Sequence, residues 1–441
     1  MSRDTLSKAA KDFTATLDEQ LPQINALAEQ DYKGALDKLL LLEKQTRQAS
    51  DLASSNRIMI SLVDLLTKHN DWKMLNEQFS LLSKKHGQLK QSVTTLIQQV
   101  IGHLDEITDI DLKIKSIENL RTTTENKIYV EIERARVTKI LSDILLSRGD
   151  LDKATEILCE LQVETYGSME LQEKIEFILN QVELCNKKGD YQFAKILSRK
   201  VLVKSLEKFP ELKLKFYQLK IAIANDENDY ISIVRYYLSI YEIPFIQENR
   251  QEYLSTLTNA VYFIMLSKYS NLQSDLISKI AVDKNLPKIP TQQQLIKTFT
   301  TQELISWESF QQAYATILFQ HEVFDQSTTK GKQHLEDLKS RVIEHNLRVI
   351  STYYSCITLK RLQELLQLTQ SQVEHNITTL VNDGTIYAKV NRPSKVVDFV
   401  KRKTENELLN TWSSNVDELL EHIETIEHLV NKEEMMKSLT A

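Results

Sequence analysis

The side chains here best suited to metal binding or nucleophilic attack are nine histidines and three cysteines, and their spacing decides what chemistry is open to them. A helical zinc hydrolase site needs two histidines four apart, with a glutamate directly after the first. His321-Glu322 begins in that way, but no histidine stands four residues after His321. His422 and His428 are six apart and so do not share a helix face. A phosphate-binding loop fails as well, because Gly331-Lys332 has Gln326 where the first glycine must stand. No Gly-x-Gly-x-x-Gly and no Gly-x-Ser-x-Gly is present. Cys159, Cys185 and Cys356 are scattered, and none has a local His or Asn setting. The sequence therefore predicts a protein that is not an enzyme, with His321, His422 and His428 at the surface, no metal site and no cofactor.

The elements point to assembly instead. Eight Gly and six Pro in 441 residues are too few for a turn-rich β fold, so a mostly helical chain is expected. A net charge of −6 disfavours a dedicated nucleic-acid binder. No apolar run is long enough to span a bilayer, and the polar stretch Met1 to Phe13 does not read as a signal peptide. The odd number of cysteines suits a reducing compartment, which makes cytoplasm or nucleus the expected location.

An Asp recurs at Asp31, Asp71, Asp111, Asp150, Asp190 and Asp229, with spacings of 40, 40, 39, 40 and 39. Tyr32, Trp72, Tyr191 and Tyr230 follow four of them, and Leu112 and Leu151 the other two. Asp caps a helix through its side-chain oxygen, and the aromatic opens an apolar stripe. Gly149 and Gly189 sharpen two of these turns, since glycine tolerates the left-handed conformation that ends a helix. A period near 40 predicts an α-solenoid of two-helix units. The third match is weak, with Lys115 where the other units carry Ala, Leu or Ile. Helical spacing continues through Tyr253–Ser267 until Pro287 and Pro290 interrupt it. Thr300-x-x-Glu303 reads as a capping box opening a helix before Leu304 and Trp307, and His321 to Lys332 as a loop.

From Arg341 to about Val400 the pattern is that of a winged helix. Ile343, Leu347, Ile350 and Tyr354 are helically spaced, and Cys356-Ile357-Thr358 is a short strand. Thr358 caps a helix over Leu359 to Leu366, and Thr369-x-x-Gln372 opens another through Val373, Ile377, Leu380 and Val381, closed by Gly384. Thr385–Val390 and Lys395–Val400 are expected as two wing strands around Asn391-Arg392-Pro393. The helix in the recognition position, Gln370 to Asp383, has no Lys or Arg and carries Glu374 and Asp383. That argues against a major-groove reader. Lys389, Arg392, Lys395, Lys401, Arg402 and Lys403 make the wing basic, which a solvated turn also explains. A free wing edge invites pairing with another sheet, so Ile386, Tyr387, Ala388, Val390, Val396, Val397 and Phe399 are candidate interface residues.

The final helix, from about Glu405, carries Leu409, Trp412, Val416, Leu419, Ile423, Ile426 and Val430 at steps of 3, 4, 3, 4, 3 and 4. Three heptads make a seam for a helical bundle. The seam is expected either to join helices of other subunits or to fold back on its own winged helix.

The combination resembles PCI-domain proteins, the module shared by the proteasome lid, the COP9 signalosome and a translation initiation factor. Thr124 to Lys139, Leu158 to Glu170, Arg341 to Ser351 and Asn415 to Leu429 are similar to a proteasome lid subunit family, over nearly the whole chain. The resemblance implies residues 1–245 as a helical-repeat solenoid, 246–334 as the helical part of the PCI module, 335–400 as the winged helix and 401–441 as a bundle helix. It implies a scaffold needed for lid assembly and ubiquitin-dependent degradation. The wing strands would join an intersubunit sheet, and the terminal helix a shared bundle. Expected partners are other PCI lid subunits, the lid deubiquitinase, the ATPase ring and the core particle, with no membrane or nucleic acid. A COP9 signalosome subunit, or a winged-helix nucleic-acid adaptor, is the alternative.

Overall fold

A computed structural model describes residues 13–28, 31–107, 109–401 and 403–440. Residues 1–12 of the stretch tested for a signal peptide, and Arg402 of the basic wing, lie outside the described residues. Two compact units emerge, the first reaching Asn228 and including Glu242–Phe245, the second formed by Asp229–Tyr241 and everything from Ile246 onward.

The helices of the first unit are α1 (Thr14–Ala28), α2 (Tyr32–Ala49), α3 (Leu52–Lys68), α4 (Trp72–Lys84), α5 (Lys90–His103), α6 (Ile110–Thr124), α7 (Glu131–Ser147), α8 (Leu151–Cys159), α9 (Leu171–Lys188), α10 (Tyr191–Arg199), α11 (Val203–Leu206) and α12 (Pro210–Glu227). α13 (Tyr230–Tyr241) belongs to the second unit, and α14 (Pro244–Glu248) follows it in the chain.

The Asp turns have a common construction. At 70–71 the Asn70 N–H donates to the Thr67 carbonyl and the Asp71 N–H to that of Leu66, while the Asp71 side chain accepts from the Met74 N–H. Gly189-Asp190 repeats this: the backbone closes α9 onto Asn186 and Cys185, and the side chain opens α10 by accepting from Phe193 N–H. One Asp thus ends one helix with its amide and begins the next with its carboxylate. The residue before it must be left-handed, with φ near +88° at Gly189 and +57° at Asn228. Asp31 and Asp229 cap in the same way. Asp150 holds the position without a side-chain capping bond.

Asp111 departs from the expectation. Asp109 is the cap of α6, and Asp111 lies inside the helix and pairs with Arg148 at 2.6 Å. The repeat also appears as polar contacts between consecutive units at matching separations. Arg57 reaches Asp18, His103 reaches Asp64 and Arg121 reaches Glu160, each 39 residues away, and Asn76 meets Ser116, 40 away. Apolar positions such as Leu39, Leu62, Phe79, Leu96, Ile117 and Leu141 form one continuous core, as stacked units must.

The second unit continues with α15 (Arg250–Leu266), α16 (Asn271–Ala281), α17 (Pro290–Thr300), α18 (Trp307–Phe319), α19 (Thr329–Tyr353), α20 (Leu359–Leu366), α21 (Gln370–Asn382) and α22 (Glu405–Thr440), with strands β1 (Cys356–Thr358), β2 (Lys389–Asn391) and β3 (Val396–Asp398). Pro290 stands at the start of α17, where its missing N–H costs nothing.

The expected Thr300–Glu303 box does not open a helix: Thr300 ends α17, and Ser306 precedes α18. The intervening residues are clamped from α19. Asn346 accepts from Ile305 N–H and donates to its carbonyl, both at 2.8 Å, and His345 Nε2 donates to the Glu303 carbonyl at 3.1 Å. The expected loop at 321–332 is shorter than predicted, because α19 begins at Thr329. That helix then runs unbroken across residues 334, 335 and 341.

Around the winged helix, Leu347, Ile350, Leu362, Val373, Ile377 and Val397 make a compact core. The capping box at Thr369 and Gln372 is present, and Thr358 caps α20. Strand order is β1-β3-β2, antiparallel throughout. The wing strands are shorter than expected. β3 spans only three residues, so Thr385–Ala388 has no strand opposite, and Phe399 N–H bonds to Ser355 on the β1 side.

Candidate docking surfaces

Thr404 and Glu407 start α22 with a reciprocal capping box, whose Thr-x-x-Glu spacing is legible at 404–407. Glu407 accepts from Thr404 N–H at 2.9 Å, and the Thr404 hydroxyl accepts from Glu407 N–H at 3.3 Å. The backbone N–H of Thr404 holds the Glu407 carboxyl below the usual glutamate range. The helix then runs 36 residues, about 54 Å at 1.5 Å per residue.

Every described side chain of α22 is exposed. The seven seam residues are among them, from Val416 at 36 % to Trp412 at 65 % of full exposure. The seam does not fold back on the winged helix. Leu408 and Leu429, one position before a seam residue, and Leu420, one position after, widen the stripe and are also exposed. A stripe of a and d positions alone suits a two-stranded coiled coil, whereas added e and g residues suit a bundle of more helices. The rest of the helix is acidic, with nine carboxylates against two lysines. His422 and His428 stand on this exposed helix.

The wing separates the candidate sheet-edge residues into two groups. β3 is the central strand, pairing Val397 with Ile357 of β1 on one side and Val390 of β2 on the other. Val397 is fully buried and Phe399 nearly so, while Val396 is half-buried. As an edge, Val396 and Val397 are therefore corrected, because their strand is flanked on both sides, and so is Phe399, which lies just past β3, nearly buried and bonded to Ser355 on the β1 side. The outer edges belong to β2, with Val390, and to β1. Ile386 is buried in the core, and Tyr387 and Ala388 are half-buried in the segment leading to β2. What made β3 central is β1, a three-residue strand more than thirty positions earlier.

Arg392 on the wing donates to Glu374 of α21 at 3.1 Å. Hydrogen bonds from Gln370 first and Arg392 second hold Glu374 below the usual range. One wing cation is thus spent on the acidic helix in the recognition position.

A cavity of about 420 Å³ is lined by α16, α17, α19 and Thr385. Within it Arg348 stacks on the Tyr269 ring at 3.6 Å and donates to Nδ1 of His345. Burial lowers the His345 pKa, in keeping with a neutral ring that donates from Nε2. These are bracing contacts between helices. Among the described residues no group of three His, Cys, Asp or Glu side chains is placed to hold a metal ion, and no helix is long and apolar enough to cross a membrane.

Known sequences align with this geometry from end to end. The PSMD12/CSN4 N-terminal family matches residues 34–249, the PCI domain 297–401, and the 26S proteasome regulatory subunit RPN5 C-terminal domain 406–438. The chain is 53 % identical to the 26S proteasome regulatory subunit RPN5 of Saccharomyces cerevisiae, over all of both chains. It is 37 % identical to the 26S proteasome non-ATPase regulatory subunit 12 of Dictyostelium discoideum, covering 100 % of this chain and 98 % of the relative. Similarity to COP9 signalosome complex subunit 4 of Caenorhabditis elegans is 20 % over 52 % of each chain.

Proposed function

Because this chain belongs to the RPN5/PSMD12 family of 26S proteasome regulatory subunits, we propose that it is a non-catalytic scaffold of the regulatory-particle lid, required for lid assembly and so for ubiquitin-dependent degradation. The exposed seam of α22 is the observation that carries this reading. Fully burying a side chain of this kind stabilises by about 1.5–3 kcal/mol, so seven half-exposed ones represent on the order of 10 kcal/mol of gross association free energy before entropic costs. In this reading α22 enters a bundle with helices of other PCI lid subunits, and β2 offers its outer edge to a neighbouring sheet. The solenoid of the first unit faces the deubiquitinase, the ATPase ring or the core particle. Cytoplasm and nucleus are the proposed locations. The full-length signalosome alternative is disfavoured by the half-length, 20 % similarity above.

The test is purification of the amino-terminally tagged chain from its own cells with nuclease present, followed by mass spectrometry. Stoichiometric lid and ATPase subunits are expected. Signalosome subunits alone, or no stable partner, would overturn the proposal.

A further inference from the structure

Cys159 is the last residue of α8 and Cys185 lies in the last turn of α9, and their sulfurs are 3.7 Å apart. The approach is set by Gln181, one helical turn before Cys185. Its buried Nε2 donates to the carbonyls of Leu158 at 2.7 Å and Leu161 at 3.0 Å, fixing the end of α8 against α9. The two thiols differ in character. Cys159 is half-buried and Cys185 fully buried. The hydrogen-bonding contact between the two sulfurs, with Lys188 and Lys200 nearby, lowers the Cys159 pKa against the opposing effect of burial, and the same contact together with burial pushes Cys185 up. A half-buried thiol in contact with a fully buried one is the arrangement that reacts with peroxides in two steps.

We propose that Cys159 and Cys185 form a peroxide-responsive dithiol that closes to an intramolecular disulfide. In the first step the Cys159 thiolate attacks one oxygen of a hydroperoxide. An S–O bond forms and the O–O bond breaks, leaving the sulfenic acid of Cys159 and a reduced oxygen that departs as water or alcohol after taking a proton. In the second, the Cys185 sulfur attacks the Cys159 sulfur. The S–S bond forms, the S–O bond breaks, and the hydroxide leaves as water with the proton from Cys185. The sulfurs must close by roughly 1.7 Å to reach a disulfide length of about 2.05 Å, a movement within reach of side-chain rotation and a small helix shift. The product staples the segment between α8 and α9, which contains the buried Val163, Tyr166 and Met169.

The test treats the purified full-length chain with hydrogen peroxide at neutral pH, blocks residual thiols by alkylation, and maps peptides without reduction. Exposed Cys356 serves as the internal control. A Cys159–Cys185 linked peptide lacking two hydrogens is expected, forming at least tenfold faster than oxidation of Cys356 and reversed by dithiothreitol. In Cys185→Ser a dimedone adduct should accumulate on Cys159, and in Cys159→Ser the thiol of Cys185 should stay reduced. Oxidation of Cys356 ahead of the pair, or oxidation of Cys185 at an unchanged rate in Cys159→Ser, would overturn the proposal. Unchanged helical circular dichroism in either variant keeps the comparison valid, and one folded variant is enough.

Discussion

The hydroxyl of Tyr230 donates to Oδ2 of Asp337 at 2.6 Å, joining residues 107 positions apart within the second unit. Tyr230 is the aromatic that follows the last Asp of the ladder, so a position that starts a stripe also ties α13 to α19. Tyr230→Phe leaves the half-buried Asp337 without this donor and should lower stability by about 1–3 kcal/mol. Burial, then the hydrogen bond and charge of Asp337, raise the phenol pKa well above its ordinary value of 10.0. The folded state thus favours the neutral phenol, and its contribution is complete below pH 10. As pH rises beyond that, the unfolded chain ionises first and stability is lost. Urea titrations between pH 8 and 11 should show this loss in the wild type and a weaker one in Tyr230→Phe. An equal slope in both would refute the linkage.

Ile423→Asp should separate folding from assembly. Ile423 is half-exposed and every described side chain of α22 is exposed, so the melting temperature of the isolated chain should change by less than 2 °C, an effect of under about 0.5 kcal/mol. Incorporation into the lid, read by native gel of a tagged copy, should fall at least tenfold. Normal incorporation would sink the seam as an intersubunit surface.

The Asp ladder should respond unevenly to alanine. Asp71→Ala and Asp190→Ala each remove a side-chain capping bond and should cost about 0.5–2 kcal/mol. Asp111→Ala should cost less than either, because Asp109 caps that helix. Chemical denaturation of the three variants side by side is the check, and equal losses would contradict the assignment.

Gly331 lies in the first turn of α19, where an added Cβ would run into the carbonyl of Asp325. Gly331→Ala must displace the turn built by Asp325, Ser327 and Thr328, with a loss of about 1–3 kcal/mol. A thermal melt identical to wild type would show that this turn yields without cost.

The solenoid, the winged helix and the terminal seam were legible because each rests on local chemistry. An Asp cap, a Thr-x-x-Gln box and a heptad step need only neighbouring residues. What escaped was set from a distance. Thr300 and Glu303 have the right spacing for a cap, yet Asn346 and His345, some forty residues later, hold that segment open. Val396 and Val397 look like part of any wing strand, and only the arrival of β1 places theirs at the centre. Cys159 and Cys185 are separated by 25 intervening residues with no motif, so Gln181, which brings them together, gave no signal of its own.

The double use of a ladder Asp, as at Asp71 and Asp190, has one more consequence. Its amide belongs to one helix and its carboxylate to the next, so the joint contains no spare residue. An insertion there would have to choose which helix to leave uncapped. Length variation is thereby steered to joints of looser construction, such as the stretch between α4 and α5. Along the ladder, change in length is tolerated most readily as gain or loss of an entire repeat.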